Sequence, residues 1–238
     1  MPNTNINLFK TDPEFSKLVQ PLLTDIDQKT AQHLKSDRTL IPLIAMIVQG
    51  TTDLIEFQTQ QALNQAVQPE KILEIVYQLT PVLGIPKVAT ALSIINGVFQ
   101  QKSLSFTQKK ERQSADFGTT VQTTLYGNEI KNLLKDLPDD AGTFIPKMLT
   151  EHFFNDHYRR LALSVKDRER FELMALITMN VDFQIGAHAK GSLKAGNSES
   201  ELVWSAVQLL PYIGFPFVIN SVQKIHTAAL TLSGDGSK

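Results

Sequence analysis

His188 lies in the segment QIGAHAKGSLKAG, residues 184–196. Wound as a helix, Gln184, His188, Gly191 and Ala195 fall at i, i+4, i+7 and i+11, along one stripe. A free imidazole titrates near pH 6.5 (roughly), which suits proton transfer to or from a substrate carbon. Gly191 costs about 1 kcal/mol relative to Ala inside a helix. Room for a ligand beside the imidazole, with Gln184 as a polar contact, would offset that cost, and so would close helix packing. The rest of the inventory excludes several chemistries. The chain has no cysteine, which rules out thiolate nucleophiles, disulfides and Cys-ligated metals. His152 and His157 are not spaced with carboxylates as a metal motif would be, and there is neither a Gly-rich phosphate loop nor a G-x-S-x-G turn. No metal and no cofactor are expected.

Charge and hydropathy narrow the partners. The 23 Lys+Arg and 24 Asp+Glu leave a net charge of -1, so no basic face for nucleic acid is expected. The pair Lys109-Lys110 reads as solvated loop charge. The N-terminal MPNTNINLFK lacks the charged-then-apolar order of a signal peptide. The most apolar run, LVWSAVQLLPYIGFPFVINSV, is interrupted by Gln208, Pro211, Gly214, Pro216 and Asn220, which argues for buried core over a membrane span. A cytoplasmic protein with no membrane partner is expected.

The elements that must position His188 are written twice. QLTPVLGIPK at 78–87 returns as QLLPYIGFPF at 208–217, and the offset of 130 also places Asp37-Arg38 on Asp167-Arg168, and Leu43, Ala45 and Ile47 on Leu173, Ala175 and Ile177. Agreement at one constant offset over this span is an internal repeat. Each copy reads as helical. Ser164-x-x-Asp167 and Ser198-x-x-Glu201 look like capping boxes, helices follow to about 178 and 210, another spans 183–195, and a last one runs to about 230. Residues 100–118 read as polar loop, and NEIKNLLKDLP, with Ile130, Leu133, Leu134 and Leu137 apolar, as a short amphipathic helix. The expected fold class is all-α with two tandem pseudo-equivalent units, residues 1–99 and 146–238, joined by a segment at 100–145.

The DRE at a helix start (167–169), H-x-x-G-x-L-x-x-G-x-S-x-x-E-L from His188, and the Tyr-x-Gly-x-Pro bend at 212–216 resemble the carboxymuconolactone decarboxylase family, which includes the alkylhydroperoxidase AhpD-like proteins. The resemblance covers 154–222 well and 36–96 more weakly. It implies an AhpD-like helical fold and a homo-oligomer, for a two-unit chain a trimer imitating a hexamer of single units. It also implies one of two chemistries: decarboxylation of a lactone acid without a cofactor, or peroxide reduction by a Cys-x-x-Cys pair assisted by a Glu and a His. By the redox branch's spacing from His188, the Glu position is Glu169 and the two cysteine positions hold Val181 and Gln184. The acid–base pair Glu169 and His188 is therefore the expected catalytic centre, and a peroxidase is not expected.

The same resemblance lets Arg159 approach the pocket to hold a substrate carboxylate, and Tyr212 could offer a hydroxyl from the bend. In the first copy Glu169 becomes Thr39 and His188 becomes Gln58, in a stripe Leu54, Gln58, Gln61, Gln65. A Gln cannot shuttle a proton at neutral pH, so the first unit reads as scaffold. Two functions are carried forward: a lyase-like acid–base enzyme decarboxylating a small lactone or keto acid, and a non-enzymatic oligomeric small-molecule-binding scaffold.

Overall fold

The computed structural model describes residues 12–105 and 114–235. The N-terminal MPNTNINLFK, Lys109-Lys110 and the middle of the loop read at 100–118 lie outside the described residues. Within them every regular element is helical. The first unit comprises α1 (Pro13–Leu34), a 3-10 turn (Lys35–Thr39), α2 (Leu40–Gln49), α3 (Thr52–Asn64), α4 (Pro69–Gln78), α5 (Thr80–Leu83) and α6 (Ile85–Gln101). Next come α7 (Phe117–Tyr126), α8 (Glu129–Leu134), α9 (Ala141–Leu149), a π-helical turn (Thr150–Asn155) and α10 (Asp156–Tyr158). The second unit continues with α11 (Val165–Met179), α12 (Asp182–Lys194), α13 (Glu199–Gln208), α14 (Leu210–Ile213) and α15 (Phe215–Asp235). The bounds of α3, α4 and α5 recur in α12, α13 and α14 at the sequence offset of 130.

The repeated Pro-x-x-Gly-x-Pro has one job in both copies. Pro81 and Pro211 occupy the first turns of α5 and α14, where a missing N–H costs nothing. Gly84 and Gly214 end those helices at φ 83°, a conformation that favours glycine. Pro86 then opens the first turn of α6, and Pro216 holds the matching place in α15. The capping readings hold with one refinement. Ser198 and Glu201 form the reciprocal box, whereas Ser164 caps α11 by accepting from the Asp167 amide at 3.0 Å.

The core lies where the two units meet. Leu40 through Val48 of α2 are all buried, as is Arg168 through Thr178 of α11, and these two helices pack together. Each large aliphatic side chain so buried contributes about 1.5–3 kcal/mol. Helix α1 of the first unit packs along α13 of the second, so the units share one core and do not merely abut.

The copies differ before α2 and α11. Helix α1 is unbroken over 22 residues. Its counterpart is split into α9, the π turn and α10. Against that split segment lies α7, which the sequence pattern did not assign. A Cβ on Gly118 of α7 would collide with the Phe154 carbonyl, so this position needs glycine for the backbones to approach. Val121 and Leu125 of α7 form a second apolar cluster with Phe153, Phe154 and Tyr158. Among the described residues no helix is long and apolar enough to cross a membrane.

Candidate active site

Helix α12 presents His188 toward α11, and α11 carries two buried acids one turn apart, Glu169 and Glu172. His188 Nδ1 stands 3.6 Å from Glu169 Oε2, and His188 Nε2 stands 3.8 Å from Glu172 Oε1. Neither is a direct hydrogen bond. The link is Tyr126, the last residue of α7. Its hydroxyl donates to Glu169 Oε2 and lies 2.9 Å from His188 Nδ1. Tyr158 donates to the other oxygen, Glu169 Oε1, at 2.5 Å. A phenol has one proton. Since Tyr126 gives its proton to Glu169, it can only accept from His188, which fixes the imidazole proton on Nδ1. Nε2 is then the nitrogen free to take up or release a proton.

Several contacts hold Tyr126 in place. Lys194 Nζ of α12 donates to the Leu125 carbonyl at 2.9 Å, binding the C-terminal end of α7 with a cation where the helix dipole favours one. The Thr119 amide donates to Asn155 Oδ1 at 2.9 Å, and Thr150 Oγ1 donates to Gln122 Oε1 at 2.6 Å, tying α7 to the π turn. Helix α12 yields space by having Gly191, where a Cβ would collide with the Tyr126 hydroxyl.

Burial sets the electrostatics. It pushes the Glu172 carboxyl up to about 8; the nearby imidazole opposes this and Glu169 reinforces it. For His188, burial alone would lower the pKa, but Glu172 and Glu169 together outweigh it and the net direction is upward. Burial first, and then Glu169, hold the Tyr126 and Tyr158 phenols well above their ordinary value, so both remain proton donors. The first unit also contributes. Gln78 Nε2 of α4 donates to the Arg168 carbonyl at 2.8 Å and approaches Glu172 Oε2 at 3.5 Å. Glu74 of α4 accepts from Arg168 at 2.8 Å and from Arg160 at 2.9 Å. Among the described residues no group of three His, Asp or Glu is placed to hold a metal ion.

Beside His188 opens a cavity of about 220 Å³. Its walls are Phe153 and Phe154 from the π turn, Phe183 and Ala187 from α12, Ile130 and Leu133 from α8, and Leu149. Its polar lining is Gln122, Tyr126, Glu129, Gln184 and His188. The first-unit counterpart, over Gln58, is only about 50 Å³ and is covered by Leu23 and Ile26 of the unbroken α1. There Gln58 Nε2 simply donates to the Thr39 carbonyl at 2.6 Å.

Of the residues expected from sequence, the structure brings Glu169, His188 and Gln184 together. Three placements differ. Gly191 leaves no room for a ligand, because Tyr126 fills the place. Tyr212 lines the small first-unit cavity and does not reach His188, because the bend after α13 faces Gln58 across the unit boundary. Arg159 lies with Arg160, His157 and Tyr77 around a separate surface cleft, because α10 and the residues after it face Tyr77 and Thr80 of the first unit there. Sequence reasoning missed Tyr126 and Glu172. The spacing of Phe117, Val121 and Leu125 could have revealed α7, and a Glu inside the apolar run of α11 could have drawn attention to Glu172.

An all-α chain whose helices recur at an offset of 130, with a Glu–His pair between the second unit's α11 and α12, defines a two-repeat helical protein. A sequence model of the carboxymuconolactone decarboxylase family matches residues 13–96 and 145–223, more than half of the chain, and the protein belongs to that family. No curated protein matches it.

Proposed function

We propose that this protein is a cofactor-free acid–base enzyme in which His188 moves a proton at a substrate carbon activated by a neighbouring carbonyl. The observation that carries this reading is the bridged arrangement Glu169–Tyr126–His188 at the wall of a mostly apolar cavity. In the simplest step His188 Nε2 takes a proton from the carbon. The bonding pair of that C–H shifts toward the carbonyl, and the oxygen takes the charge against an amide of Gln184 or Gln122. Return of the proton completes the turnover. Decarboxylation is the related case: the C–C bond to the leaving CO2 breaks, its electrons enter the same carbonyl, and protonated His188 supplies the proton to the carbon. Glu169, held by two phenols, steadies the imidazolium through Tyr126. A thiol peroxidase reading has no support, since Val181 and Gln184 stand where that branch has its cysteines and the chain has none.

The test is exchange of α-protons for deuterium in small ketones and 1,3-dicarbonyl compounds, together with CO2 release from β-keto acids, followed by NMR. Wild type should catalyse at least one of these, and His188→Gln should lose about 10²–10⁴-fold of the rate while staying folded. Equal rates in the two proteins would favour the scaffold reading.

A further inference from the structure

We propose that the His188 cavity is built for an uncharged, largely apolar carbonyl compound and selects against carboxylate anions. This rests on the reading of His188 as the acid–base group, takes the proton-transfer branch of that reading in place of decarboxylation, and replaces the expectation of a carboxylate-bearing ligand. The first observation is what lines the cavity. Seven of the twelve lining residues are Ile, Leu, Phe or Ala, none is Lys or Arg, and the single carboxylate among them is Glu129. A carboxylate entering would lose its water without a cation to replace it, and would face Glu129.

The second observation is that the nearby donors are already committed. The Tyr126 and Tyr158 hydroxyl protons both go to Glu169, and the Gln78 amide goes to the Arg168 carbonyl and toward Glu172. His188, even when protonated, sits between Glu169 and Glu172 at 3.6 and 3.8 Å, so its charge is already matched. What is left for a ligand is the amide of Gln184, the amide nitrogen of Gln122 and Nε2 of His188. These suit one carbonyl oxygen and one exchangeable proton. The arginine that would have served an anion, Arg159, lies at the separate cleft.

The experiment is isothermal titration calorimetry at neutral pH with three near-isosteric aryl ketones: 4-acetylbenzamide, 4-acetylbenzoate and 4-acetylbenzamidine. They differ in charge and little else. The neutral amide should bind at least tenfold more tightly than either ion. Equal or tighter binding of the benzoate or of the amidine, or no binding by any of the three, overturns the proposal. Leu133→Arg adds a cation at an exposed cavity-wall position, where its side chain can reach solvent and the fold should tolerate it. It should shift the amide-to-benzoate ratio by tenfold or more toward the benzoate, and an unchanged ratio would contradict the placement. Binding needs no turnover, so the two readings separate. Amide preference together with proton exchange unaffected by His188→Gln would sink the catalytic reading alone. Benzoate preference together with exchange lost in His188→Gln would sink this one alone.

Discussion

At the residue scale, proton placement follows from counting donors. Tyr126 has one proton and two partners, and Glu169 takes it. Removing that hydroxyl in Tyr126→Phe deletes a hydrogen bond to a charged group, worth about 1.5–3 kcal/mol, and turnover should fall roughly tenfold to a hundredfold. The pH at half-maximal rate should move with it. A structural role alone would lower stability and leave the pH profile where it was. Glu172 gives a second prediction. Its folded value of about 8 lies above the ordinary carboxylate range, so between about pH 4.5 and 8 the folded protein holds a proton that the unfolded chain releases. Stability from this group is therefore present at low pH and is lost as pH rises toward 8. His188 is raised chiefly by Glu172, so it shares that titration and does not add to it independently; its stability is present below about pH 6.5 and is lost as pH rises through its folded value. Both act in one direction. Urea midpoints should fall from pH 5.5 to pH 8.5, and Glu172→Gln should flatten that slope. A midpoint that rises over this range would contradict the assignment. Of these residues, Glu169 and His188 were legible because a repeat and a family resemblance marked their positions. Tyr126 was not, because it sits 43 residues from Glu169 and 62 from His188 in a segment without a counterpart in the first copy. Glu172 was hidden by its apolar neighbours, since periodicity alone cannot tell a buried acid from a surface one.

At the element scale, α12 has two interior glycines with opposite meanings. A Cβ on Gly186 meets nothing within 4 Å, so Gly186→Ala should stabilise the protein by about 0.5–1 kcal/mol through lost chain entropy. A Cβ on Gly191 runs into Tyr126, so Gly191→Ala should cost about 1–3 kcal/mol and should also displace the bridging hydroxyl. Thermal unfolding of the two variants checks the signs, and Gly191→Ala should in addition lose activity. The sequence marked Gly191 as unusual in a helix but could not say what pressed on it. That depends on α7, an element packed from outside the repeat. The split of α1's counterpart into α9, the π turn and α10 was equally hidden, because it depends on the aromatic residues 153, 154 and 158 closing around α7. The repeated helices α3 to α5 and α12 to α14 were legible because the Pro-x-x-Gly-x-Pro bend with its positive-φ glycine punctuates both copies alike, and Pro69 opens α4 where the Ser198 capping box opens α13.

At the scale of the whole molecule, the first unit is part of the second unit's site. Its Glu74 accepts from the fully buried Arg168 and from Arg160, and its Gln78 reaches the Arg168 carbonyl and Glu172. Breaking a buried pair by removing one partner costs about 3–5 kcal/mol. Glu74→Ala should therefore lower stability by about that much, in one cooperative urea transition for the whole chain. A loss below about 1 kcal/mol, or two separate transitions, would show that the units are energetically independent. The absence of an acid–base pair from the first copy, with Thr39 and Gln58 in its place, is thus compatible with a role as support. The whole arrangement turns on where one imidazole keeps its proton. The most direct measurement is the ¹⁵N NMR titration of the histidine rings, with His188 assigned among the 5 histidines by comparison with His188→Gln. His188 should show a neutral form protonated on Nδ1 and a midpoint above the ordinary histidine value of about 6.5. A neutral form protonated on Nε2, or a midpoint below that value, would contradict it.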